Sequence, residues 1–172
     1  ITININDNPS VSDLNTIAGK TGGVVTATLA STAKADLVAL STASTDVITI
    51  PVSDTVSVSE LNTIAGKTGG PVTATVTTGN TASFSSLATD ANDVITININ
   101  DNPSVTDLNT IAGKTGGVVT ATLATGNTAS YSALNTAATD VITININDNP
   151  SVADLNTIAG KTGGVVTATL AT

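Results

Sequence analysis

An α/β solenoid is the fold class this sequence predicts, and three observations carry that prediction. The run Ile-Ala-Gly-Lys-Thr-Gly-Gly occurs at 17–23, 64–70, 111–117 and 158–164, each copy 47 residues after the last, with no insertion or deletion between copies. Two runs in each repeat alternate apolar and polar side chains, the period-2 mark of a half-buried strand. Between them lies a stretch with the apolar spacing and capping residues of a short helix. A long period held in perfect register means units that stack, because one such unit cannot bury its apolar face alone.

The units are 1–47, 48–94, 95–141 and a partial 142–172, forming a single repeat array. Each opens with a strand: in the first, Ile1, Ile3 and Ile5 face one side and Thr2, Asn4 and Asn6 the other, in a β-branched run that suits a pleated surface. A second strand places Val25, Ala27 and Leu29 on one face, with Thr26 and Thr28 opposite. Burying three isoleucines per opening strand contributes about 1.5–3 kcal/mol each relative to exposure. The helix between the strands begins at Ser10 with Asp13 three residues on, and in the second unit at Ser57 with Glu60, which is the spacing of a capping box. Val11, Leu14, Ile17 and Ala18 share a face, and Gly19 stands where a glycine after the helix would end it.

A second, weaker helix is predicted after the second strand. There an i, i+3 apolar pair recurs as Leu37/Leu40, Phe84/Leu87 and Tyr131/Leu134, preceded in the later units by Thr-Gly-Asn-Thr-Ala. Each unit is then strand–helix–strand–helix. Strand starts at Val94, Val118 and Val141 give coils of 24 and 23 residues, within the coil length of α/β solenoids. Seven strand candidates would form one parallel sheet with right-handed crossovers and helices on its apolar face. A β-solenoid, in which the Leu37/Leu40 region is only a loop, is the alternative. Pro51 and Pro71 interrupt strands of the second unit, where each removes one ladder donor.

Composition narrows the chemistry. The chain has 172 residues, 1% aromatics, 10% charged residues and no His, Cys, Met or Trp. Zinc, haem, iron–sulfur and Cys/His nucleophile sites therefore lack their usual ligands. Thirteen acids against five lysines give a net charge of −8, which opposes nucleic-acid binding. No run approaches the roughly 18 apolar residues of a membrane span. The chain opens at Ile1 without a signal sequence, as a processed or excised piece would.

The Gly-Lys-Thr turn invites comparison with a phosphate loop, but that loop needs a glycine where Leu14, Leu61, Leu108 and Leu155 stand. The order of elements is also inverted, because a helix enters the turn and a strand leaves it. Lys20 would then face a helix C-terminus and compensate its dipole, so no nucleotide is expected. The Asp and Asn side chains offer the hard oxygen ligands that calcium takes. The candidate ligands are Asp7, Asp101 and Asp148, in turns of the Asn-Asp-Asn-Pro type, and Asp54, in Ser-Asp-Thr-Val-Ser, with Asp46 at the same end of its strand. One turn with one carboxylate is short of the six to eight oxygens calcium takes, and Asp and Asn are ordinary turn formers. Stacked Asn4, Asn98 and Asn145, with Thr2, Thr49, Thr96 and Thr143, would make a polar ladder suited to a glycan or to ice. Acids repeated in every unit read as scaffold rather than as a catalytic pair, so no enzyme is expected.

The phrases Ser-Val-x-Asp-Leu-Asn-Thr-Ile (from 104), Val-Val-Thr-Ala-Thr-Leu-Ala-Thr-Gly-Asn-Thr-Ala-Ser-Tyr-Ser-Ala-Leu (from 118) and Asp-Val-Ile-Thr-Ile-Asn-Ile-Asn-Asp (from 93 and from 140) resemble tandem tracts of giant bacterial surface and secreted proteins. These include cyanobacterial cell-surface repeat proteins and adhesins, some associated with calcium-binding modules. The resemblance spans the chain and brings no catalytic motif. It implies an exported structural protein, such as a filament, surface layer or stalk. The sequence starts on a strand and ends just after one, without a polar capping unit. Such ends lead to an expectation of further repeats or end-to-end self-association. An adhesin surface binding glycan through the Thr/Asn face is the alternative.

Overall fold

Alternating β-branched strands stack here into one parallel sheet in strict chain order. The computed structural model describes residues 1–170. Its elements are β1 (Ile3–Asn4), α1 (Val11–Ala18), β2 (Val25–Thr28), α2 (Lys34–Leu37), β3 (Val47–Val56), α3 (Val58–Ala65), β4 (Val72–Val76) and α4 (Thr81–Ser85), followed by β5 (Val94–Asn98), α5 (Val105–Ala112), β6 (Val119–Thr122), α6 (Thr128–Ser132), β7 (Val141–Asn145), α7 (Val152–Ala159) and β8 (Val166–Thr167). The sheet order is β1 through β8, every neighbouring pair is parallel, and β1 and β8 form its two edges. This is the predicted α/β solenoid. It has eight strands rather than seven, because the final apolar–polar run pairs with β7 through Ile144 and Asn145. The second-type helices α2, α4 and α6 exist but span only four or five residues.

Inward-facing Ile48, Ile50, Ile95, Ile97, Ile142 and Ile144 are buried, as are Val25, Val72 and Val119 of the second-type strands. The helices cover this face with Leu61, Ile64, Leu108 and Ile111 from the long helices, and with Leu37, Phe84 and Tyr131 from the short ones. In β5, Val94, Thr96 and Asn98 point to solvent while Ile95 and Ile97 are buried, as period 2 requires.

The register is sheared. Ile3 lies opposite Val25 and Thr26 opposite Val47, offsets of 22 and 21 residues that total four fewer than the 47-residue repeat. Each repeat therefore advances four residues along the strand direction, roughly 13 Å at the parallel-strand rise. Equivalent residues of successive repeats are not side by side, so the straight Asn/Thr ladder does not form. Asn98 is opposite Thr120, and Thr120 is opposite Val141, not Asn145.

The prolines fit more easily than expected. Ile50 N–H donates to the Pro71 carbonyl and Thr32 N–H to the Pro51 carbonyl, both at 3.0 Å. A register shift between Pro51 and Thr55 absorbs two extra residues in β3, as a bulge does.

Each long helix starts at a serine whose hydroxyl accepts from the backbone amide three residues on. Only Ser57/Glu60 is a reciprocal capping box, with Ser57 N–H donating to Glu60 Oε2 at 2.8 Å. Asp13, Asp107 and Asp154 instead accept the serine hydroxyl, because their shorter side chains do not reach back to the cap amide. Gly19, Gly66, Gly113 and Gly160 end the helices in right-handed conformation, near φ −67° at Gly19, not as left-handed caps.

Candidate functional site

The Gly-Lys-Thr turn follows a helix and precedes a strand, and its polar groups are directed into the protein. Thr68, Thr115 and Thr162 are buried. Thr68 Oγ1 accepts from Ile48 N–H and Gly70 N–H, each at 2.8 Å, and lies 2.8 Å from the Ile48 carbonyl and 3.2 Å from that of Asp46. Gly69, Gly116 and Gly163 donate their amides to the carbonyls of Asp46, Asp93 and Asp140 at 2.7 Å. The amides that would cradle a phosphate are thus bonded inward.

The glycines serve close approach rather than unusual dihedrals, since no residue among the described ones has positive φ. A Cβ on Gly70 or Gly117 would lie 2.7 or 2.5 Å from the carbonyl oxygen of Ile48 or Ile95. Backbone meets backbone there, and no side chain fits.

The lysine of the turn does not compensate its own helix. Lys114 Nζ donates at 2.6 Å to the Leu87 carbonyl, Lys161 Nζ donates to that of Leu134, and Lys67 Nζ reaches those of Val38 and Leu40. These carbonyls follow the short helix of the preceding coil. The lysine is a clasp between coils, answering the negative end of a neighbouring helix rather than its own.

Three more sets of groups close the same joints, and sequence reasoning missed their roles. Asp46, Asp93 and Asp140 are buried before β3, β5 and β7. Their Oδ1 atoms accept from Val25, Val72 and Val119 N–H at 2.8 Å, and their Oδ2 atoms from Ala43, Asp90 and Ala137 N–H. Asn15, Asn62 and Asn109 donate to the carbonyls of Ala39, Ser86 and Ala133, and accept from the amides of Ser41, Ala88 and Asn135. Thr42, Thr89 and Thr136 donate to the carbonyls of Lys67, Lys114 and Lys161. The available signal was the recurrence of one polar residue at a fixed place in all units, but spacing alone does not say which backbone group lies opposite. No buried side-chain nitrogen or oxygen among the described residues lacks a partner.

The calcium candidates belong to this pattern. Asp101 Oδ1 accepts from Thr81 N–H and Oγ1–H at 2.9 and 2.7 Å, and Asp148 Oδ1 does the same with Thr128. The threonine hydroxyl first, and its amide second, hold both carboxyls below the usual aspartate range. Asp54 accepts from Lys34 N–H at 3.2 Å and from the Ser53 hydroxyl. Asp7 is exposed in the first turn of the array. The four are spread over successive repeats, and no three acidic residues converge among the described residues. One ion pair joins helices α2 and α3: Lys34 Nζ lies 3.0 Å from Glu60 Oε1. The Ser57 amide, followed by Lys34, draws the Glu60 carboxyl down to about 2.

The outer face of the sheet and two grooves on the helix side are open to a partner. The outward side of the sheet carries Thr, Val and Asn, with Thr28 opposite Thr49, Thr75 opposite Thr96 and Thr122 opposite Thr143. Shallow grooves of about 760–780 Å³ run between α1 and α2 and between α3 and α4, lined by groups such as Asn15, Asn62, Thr63 and Ser83. Phe84 and Tyr131, the chain's two aromatics, are both buried, Phe84 beneath the groove between α3 and α4. Among the described residues no helix is long and apolar enough to cross a membrane. No protein-family model matches the chain, and no curated protein or solved structure is significantly similar to it.

Proposed function

We propose that this chain is a structural extracellular repeat segment, a stiff spacer or fibre element of a cell-surface or secreted protein. The observation that carries the reading is the sameness of the joints. Lysine, asparagine, threonine and aspartate clasps recur at matching sequence separations in successive repeats. Each bonds main-chain groups, so the joint depends little on the side chains of the neighbouring coil. Nearest-neighbour stacking of this kind gives length and stiffness. Calcium at Asp7, Asp54, Asp101 and Asp148 plays no part in this proposal, since three of these aspartates already serve backbone amides.

The test is electron microscopy of purified material with and without a calcium chelator. Rods or fibres that persist under chelation support the reading; monodisperse globules under both conditions refute it. The uncharged Thr/Val/Asn face favours one other reading, an adhesin surface for neutral glycans. In that case glycan-array binding would fall on Asn98→Ala and Asn145→Ala.

A further inference from the structure

Among the described residues, one charged side chain lies within a strand. It is Asp54, whose carboxylate turns to the Lys34 amide at the start of α2. The outward face of the sheet is therefore uncharged, on a chain whose net charge is −8. That face is built from a repeated block. Thr26 and Thr28 stand opposite Val47 and Thr49, and the same four residue types recur in β4/β5 and in β6/β7. Val47, Val94 and Val141 are 42–46% exposed at matching places in these blocks.

The threonines of the blocks differ from those of the joints. Thr68, Thr115 and Thr162 are buried, and their hydroxyl oxygens accept main-chain amides. The outward threonine hydroxyls make no hydrogen bond among the described residues and are free to donate and accept. Their β-branched side chains reach about as far as those of the valines, so the surface between them is level.

We propose that this face is a lateral interface whose occupant is a second copy of the chain, packed sheet to sheet about a two-fold axis. Charge selects that occupant first. Exposed acids such as Asp13, Asp101, Asp107 and Asp148 lie on helices and turns, so the uncharged face is where two like-charged chains meet with least repulsion. A surface of valine methyls and of hydroxyls that both donate and accept is complementary to itself, as a two-fold contact requires. Eight strands ~4.8 Å apart, each about five residues of ~3.3 Å deep, offer roughly 600 Å² per copy. The total of about 1,200 Å² suits a weak, reversible pair rather than a permanent one. A neutral glycan finds no ring to stack on here, because Phe84 and Tyr131 belong to α4 and α6 and are buried. Pairing of this kind runs alongside the array and goes beyond the spacer reading: a stiff rod that stays single would leave that reading intact.

The test is sedimentation equilibrium of the purified chain from about 10 μM to about 1 mM, the range of weak association. A monomer–dimer equilibrium is expected. It should tighten severalfold as salt rises from about 0.01 to about 0.15 M, because screening relieves the repulsion between copies. Val94→Lys combined with Val141→Lys should weaken the dimer at least about tenfold by setting like charges face to face, although it lowers the net charge. Val94→Thr combined with Val141→Thr keeps the β-branched shape and should weaken it less, with circular dichroism unchanged. That second pair carries the test if the lysines disturb the sheet. A chain that stays monomeric throughout the range would overturn the proposal, and glycan-array binding lost in the lysine variant would then name the other occupant. So would a dimer that neither pair of substitutions weakens, since the contact would then lie elsewhere.

Discussion

The two kinds of helix in each repeat are built on different principles. Helices α1, α3, α5 and α7 are eight residues long, and each carries its own serine cap. Helices α2, α4 and α6 have four or five residues, too few to persist on local hydrogen bonds alone. They are held by their neighbours. Asp54, Asp101 and Asp148 from the next coil accept their first amides, and asparagines from the preceding long helix take up groups at their ends. A local code sets the long helices; α4 and α6 carry asparagine caps of their own, Asn80 and Asn127, but are too short to persist on them, and stacking supplies the rest. The first short helix shows the dependence most plainly. Its cap position is Ala33, which has no side-chain cap, so the Asp54 carboxylate, which accepts from Lys34 N–H twenty residues away, is among the described residues the one side chain that bonds its first turn.

Breaking the stacking should therefore cost more than breaking a local cap. The largest loss is expected for Gly117→Val, since even a Cβ there would sit 2.5 Å from the Ile95 carbonyl oxygen. Separation of the coils at that joint should abolish cooperative thermal unfolding. Gly113→Ala, in the same turn, is the control: its Cβ would meet the Asn109 carbonyl oxygen at 3.5 Å. It should change stability by less than about 1 kcal/mol, because alanine is the better helix former.

Leu108→Ala ranks next, at about 2–5 kcal/mol for a fully buried leucine, read from urea denaturation. Asn109→Ala strips a partner from both the Ala133 carbonyl and the Asn135 amide. A loss of about 1–3 kcal/mol is expected. Its signature is faster hydrogen exchange across residues 131–137, with α5 itself still protected. Equal acceleration in both helices would refute the division between local and borrowed structure.

Ser104→Ala removes a local cap and should cost about 1 kcal/mol, confined to the first turn of α5. The smallest effect is that of acid. Glu60, Asp101 and Asp148 all have lowered carboxyl pKa values in the folded chain. Their contribution is present above the usual carboxylate range and is lost as pH falls through the folded values, for Glu60 between 4.5 and about 2. All three are solvent-screened, so the midpoint of thermal unfolding should slope down gently over that window. Glu60→Gln should flatten part of the slope; an unchanged slope would remove Glu60 from the account.

The Gly-Lys-Thr turn shows how far a motif can be read without its surroundings. Its place after a helix and before a strand was legible, because capping serines and period-2 runs are local signals. The partners of Lys114 and Thr115 were not, because they lie 20–27 residues away on another coil. Asp7, Asp101 and Asp148 were legible as turn residues, whereas Asp54 lies within β3; the threonines that occupy Asp101 and Asp148 were not legible.

By itself the sequence determined the repeat, the two strand faces, the long helices with their caps, and the parallel α/β stack, because periodicity and local backbone chemistry specify these. Tertiary structure alone decided the shear of the sheet, the glycines' role as points of backbone contact and the clasping of one coil by the next. Those depend on which groups meet across a joint. Strand β6 lies between Asn98 and Asn145, and a shear of four residues per repeat puts Val141, not Asn145, in line with Asn98 and Thr120.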